Sequence, residues 1–160
     1  MSGSTEAVYI TSLHEVFWGL VMIATVVAIH GAGVIVTLRA GRAMQRAAGG
    51  RHSFFHGMGR LVVATLILVL VHLVEVIVWG LFLSAKGAFP NVSTAIYYAL
   101  MQYTTVSSSL RLPSDLRLLG GIIPLSGMLT VAWSTSVLFL LAQPFVTRYS
   151  SDDDQSGSRM

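Results

Sequence analysis

The chain has 160 residues, 54% of them hydrophobic and only 11% charged, and its mean hydropathy of +0.72 excludes an ordinary water-soluble domain of this size. A net charge of +3 and a pI near 9.7 could suit a nucleic-acid partner. The arginines, however, cluster between two apolar stretches, where membrane topology places them, so no nucleic acid is expected. The lack of cysteine excludes disulfides, zinc–thiolate sites and iron–sulfur clusters.

The first ten residues, MSGSTEAVYI, carry no basic run ahead of the apolar stretch, which argues against a cleaved signal peptide. Residues 16–38 then form the first of three segments long enough to cross a hydrocarbon core of about 30 Å at about 1.5 Å per helical residue. The others are 61–83 and 120–142. Between the first two lie Arg39, Arg42, Arg46, Arg51 and Arg60, which mark a cytoplasmic loop. That places the N-terminus with Glu6 outside, residues 84–119 outside, and the C-terminus inside. Lys86, Arg111 and Arg117 weaken this asymmetry without reversing it. Trp18 and Trp79 read as anchors at the outer interface, and His14 and Glu15 as solvated or headgroup-contacting groups beside it. His52 and His56 belong to the basic loop.

The connection between the second and third spans is too apolar for a simple loop. Residues 92–104, VSTAIYYALMQYT, are too few for a full crossing and suit a half-membrane helix. Pro90, Asn91 and Ser93 supply its start, with a side chain able to cap free backbone N–H groups. Asn91-Val92-Ser93 also matches a glycosylation acceptor, but capping explains it better.

Residues 95–106, AIYYALMQYTTV, resemble the pore helix and filter entrance of the potassium channel superfamily. In that family a pore helix with paired aromatics runs into a Thr-Thr-Val-Gly-Tyr-Gly-Asp filter. Tyr97 and Tyr98 match the aromatics, Thr104, Thr105 and Val106 match the filter entrance, and Gly127 stands where the inner helix often has a hinge glycine. The order of elements from residue 61 to 142 is also similar, with the first span as an addition like that of small bacterial channel-like proteins. The resemblance implies an all-α membrane protein with three transmembrane helices and a re-entrant pore helix per subunit. It further implies a homotetramer in membrane lipid passing a monovalent cation, potassium or sodium, through rings of backbone carbonyls. A bacterial inner membrane is the expected location.

The likeness breaks at Ser107, Ser108, Ser109 and Leu110, which stand where the family has Gly-Tyr-Gly-Asp. A non-glycine residue held in the left-handed region costs about 1–2 kcal/mol, so two such positions in four subunits cost on the order of 8–16 kcal/mol. The expectation is therefore a wider vestibule lined by serine hydroxyls, with poor potassium selectivity, or a collapsed segment in a scaffold that does not conduct. In the last span, Thr130 and Ser134 share a face that continues through Leu138 and Leu141, and this suits a pore lining. The small residues Ser126, Gly127, Ser134 and Ser136 equally suit close helix packing.

His30, His72 and Glu75 make an intramembrane polar patch: His72 is central in its span, Glu75 follows on the same face, and His30 lies within about 5 Å of that depth. Three readings stand side by side. The pair on the second span could brace neighbouring helices, through Gln102 or Tyr103; it could gate by pH; or His30 and His72 could be axial ligands of a b-type haem. The channel reading needs no cofactor and no metal beyond permeant ions. No nucleotide-binding or hydrolase motif appears, so no catalytic residue is expected. The chain thus divides into residues 1–60 (first span and basic loop), 61–147 (pore-like module) and 148–160 (acidic tail, expected to be disordered).

Overall fold

A computed structural model describes residues 12–47, 54–106 and 108–157. The described residues form four α-helices, α1 (Leu13–Ala47), α2 (Phe54–Ala85), α3 (Val92–Tyr103) and α4 (Leu119–Gly157), with one 3-10 turn at Ser114–Leu116. Three regions are long and apolar enough to span a membrane, Leu13–Ala47, Phe55–Ala85 and Ser114–Gln143, each containing one expected span. In the most apolar window of α2 only 22% is buried inside the chain. Leu66, Leu70 and Leu81 of α2 are exposed, apolar side chains facing outward as a lipid solvent requires. The protein is an integral membrane protein.

Local sequence sets the helix ends. Ser12 and Glu15 form a capping box: Glu15 N donates to Ser12 Oγ at 3.2 Å, and Ser12 N donates back to Glu15 Oε2 at 3.1 Å. At α3 the expected cap is present, with Thr94 N donating to Asn91 Oδ1 at 2.7 Å. The basic segment between the first two spans is mostly helical, because α1 runs on through Arg39, Arg42 and Arg46 and Arg60 already lies in α2. Arg51 and His52 lie outside the described residues. At the far end α4 continues to Gly157, so the helix takes in most of the acidic segment that the sequence sets apart as a tail.

The chain divides into two compact units, one of residues 1–26 and 76–128 and the other of residues 27–75 and 129–160. In the first, α3 packs among parts of α1, α2 and α4 around Met22, Trp79, Leu83, Tyr98, Tyr103 and Ile123. Trp79 is fully buried there and donates from Nε1 to Ser126 Oγ at 3.1 Å. It is therefore a core residue rather than the expected interface anchor, since Ser126 satisfies its one polar atom away from water. Trp18 is half-buried, with the Lys86 ammonium 3.7 Å from its ring centroid. In the second unit a smaller apolar core of Val34, Leu68 and Val137 accompanies a polar cluster.

Candidate functional site

Two groups of residues carry candidate chemistry, one in each unit. In the first unit α3 lies so close to α2 and α4 that glycine is needed at the contacts. A Cβ on Gly80 would stand 2.7 Å from Ile96 Cα, and one on Gly127 would collide with the Tyr103 carbonyl oxygen. Gly127 thus provides room for the end of α3, and α4 runs through it as continuous helix.

The helix ends in the Thr104-Thr105 pair. Thr104 N donates to the Leu100 carbonyl at 3.0 Å, its Oγ1 donates to the same oxygen at 2.8 Å, and Thr105 N donates to the Gln102 carbonyl at 2.9 Å. Thr105 has a φ of 61°, the left-handed conformation usual at a helix C-terminus but costly for a β-branched residue. Among the described residues the left-handed non-glycine backbone thus falls here, ahead of the serine run. Thr104, Thr105 and Val106 are exposed, as is Ser109, while Ser108 is half-buried and its Oγ accepts from Leu110 N at 3.1 Å. Ser107 lies outside the described residues.

Of the α4 residues expected to line a pore, Gly127, Thr130 and Ser134 are buried inside the single chain, and Leu138 and Leu141 pack beside the second unit's apolar core. Small and hydroxylic side chains on this face let neighbouring helices approach closely, as the packing alternative requires.

The polar patch of the second unit is assembled more tightly than its sequence depths require. His30 Nδ1 lies 2.9 Å from Glu75 Oε1, and His72 Nδ1 lies 3.5 Å from Glu75 Oε2. On their other sides both imidazoles meet Ser134, with His72 Nε2 at 3.0 Å and His30 Nε2 at 3.3 Å from its Oγ. His30 and Glu75 are fully buried, and the His72 side chain is 19% exposed. Helices α1, α2 and α4 therefore meet through His30, the His72–Glu75 pair one turn apart, and Ser134. The two imidazole rings tilt by 38° with centroids 5.2 Å apart. A porphyrin between axial imidazoles needs them on opposite faces of the macrocycle, and two rings sharing one carboxylate and one hydroxyl do not fit that arrangement.

Glu15 is the residue whose role the sequence reading missed. It is 1% exposed, not solvated at an interface, and its Oε1 accepts the Leu118 N–H at 3.0 Å beside its bonds to Ser12. The Ser-x-x-Glu spacing signals the capping half of this role; the contact 103 residues away has no local signal. No family model matches the chain, and no curated protein or solved structure is significantly similar to it.

Proposed function

We propose that the protein is a pore-forming subunit that passes monovalent cations with weak discrimination between potassium and sodium, four copies surrounding one pathway. The observation that carries this reading is α3: a capped helix of 12 residues held against α2 and α4 by glycine contacts, with exposed Thr104, Thr105 and Val106 at its C-terminal end. A half-length helix re-entering the membrane directs its partly negative end at the pathway, and the threonine hydroxyls and carbonyls beyond it replace water around a cation. Their exposure in a single chain suits a lining completed by other copies. The arginine-bearing ends of α1 and α2 belong on the cytoplasmic side of a bacterial inner membrane, with the C-terminus on that side and the N-terminus outside.

Burial of Gly127, Thr130 and Ser134 favours a second reading, a channel-like scaffold that does not conduct, because it withdraws the polar face of α4 from any pathway. Rubidium, potassium and sodium flux into proteoliposomes separates the two. The pore reading predicts uptake of all three with ratios within about tenfold, the scale of about 1.4 kcal/mol of selectivity. No uptake of any ion leaves the scaffold.

A further inference from the structure

Two helices bring three metal-ligating side chains to one buried point: a ligand atom from each of His30, His72 and Glu75 lies within 4.8 Å of the others. We propose that these residues bind a divalent first-row transition-metal ion such as Zn²⁺, a function separate from the pore reading and independent of it.

The geometry fits an ion with little movement. Ligands at about 2.0–2.2 Å from a tetrahedral ion stand about 3.3–3.6 Å from one another. The His30–Glu75 and His72–Glu75 nitrogen-to-oxygen separations, 2.9 and 3.5 Å, require shifts of only a few tenths of an ångström, while the two imidazole nitrogens, within 4.8 Å of one another, close by up to about an ångström. Two imidazoles and a carboxylate favour zinc, iron or copper over potassium, magnesium or calcium, which prefer all-oxygen surroundings. The second shell is also present: Ser134 Oγ lies 3.0 and 3.3 Å from the two Nε2 atoms, positioned to accept their N–H groups and leave both Nδ1 lone pairs aimed at the ion.

Charge gives the same direction. Each imidazole faces oxygen on both sides, at Glu75 and at Ser134. A cation between the two Nδ1 atoms and the carboxylate neutralises a buried negative charge. Three protein ligands leave the fourth position to an anion such as hydroxide or chloride, which brings the net charge of the site to zero, as the hydrocarbon surroundings favour. A hydrogen-bonded brace between helices without a metal is the rival outcome.

The test uses the full chain, without an added histidine tag, stripped of metal in detergent and titrated with Co²⁺ and Zn²⁺. Intense visible ligand-field bands of tetrahedral Co²⁺, displaced by one equivalent of Zn²⁺ per chain, support the site. His30→Gln and Glu75→Gln should weaken binding by well over tenfold, Ser134→Ala by about tenfold, and the exposed-histidine variant His14→Gln not at all. If the variants do not fold, the wild-type spectrum decides alone. Only the weak spectrum of octahedral Co²⁺, or Zn²⁺ uptake unchanged in His30→Gln and Glu75→Gln, overturns the proposal and leaves a hydrogen-bonded brace.

Discussion

Thr105 holds a β-branched side chain at a φ of 61° where helix ends usually place glycine. Relief of about 1–2 kcal/mol of strain, less about 0.5–1 kcal/mol for the flexibility of glycine in the unfolded chain, predicts that Thr105→Gly stabilises the protein by about 0.5–1 kcal/mol. Thermal unfolding in detergent reads this as a higher midpoint, and a lower one would mean the side chain makes a compensating contact. Glu15 lies at the other extreme, with a buried carboxylate taking N–H groups from Ser12 and Leu118. Glu15→Ala orphans both donors and should cost about 2–4 kcal/mol, whereas Ser12→Ala, which loses only its half of the cap, should cost about 1 kcal/mol. Equal losses in the two variants would show that the Leu118 contact contributes nothing. Only the short-range half of each such role was legible in sequence: Ser12 and Glu15 are three apart and signal a cap, but no local pattern encodes a partner at Leu118, in the turn before α4. Trp79 was misplaced for a similar reason. A tryptophan near a span end suits an interface unless a distant hydroxyl, here Ser126, takes its N–H.

The helices themselves were legible because long apolar runs permit little else in a membrane, and α3 was legible because Asn91 caps its start. What hydropathy does not carry is azimuth. His30 and Glu75 could be matched in depth, yet their 2.9 Å contact depends on how each helix is rotated. Thr130 and Ser134 could be placed on one face of α4, but not assigned to the interior. Gly127 separates packing from hinging experimentally. A methyl group there collides with the Tyr103 carbonyl, so Gly127→Ala should destabilise by about 1–3 kcal/mol, while Gly121→Ala, with nothing within 4 Å of the added carbon, should be neutral or stabilising by up to about 1 kcal/mol. Comparing the two midpoints checks this. A Gly127→Ala protein of unchanged stability but altered flux would restore the hinge.

At the scale of the molecule, three membrane-long helices and one short capped helix leave an exposed Thr104-Thr105-Val106 segment whose apposition to copies of itself would make a cation route. The native sequence has no cysteine, so a single introduced thiol reports on one position without background. In proteoliposomes containing the Thr105→Cys protein, a cationic methanethiosulfonate reagent should abolish rubidium uptake by placing a fixed positive charge in the pathway, and should leave uptake by the unmodified wild type unchanged. Complete modification of Cys-bearing protein with undiminished uptake would contradict the account, because the strand leaving α3 would then lie outside the route the ions take.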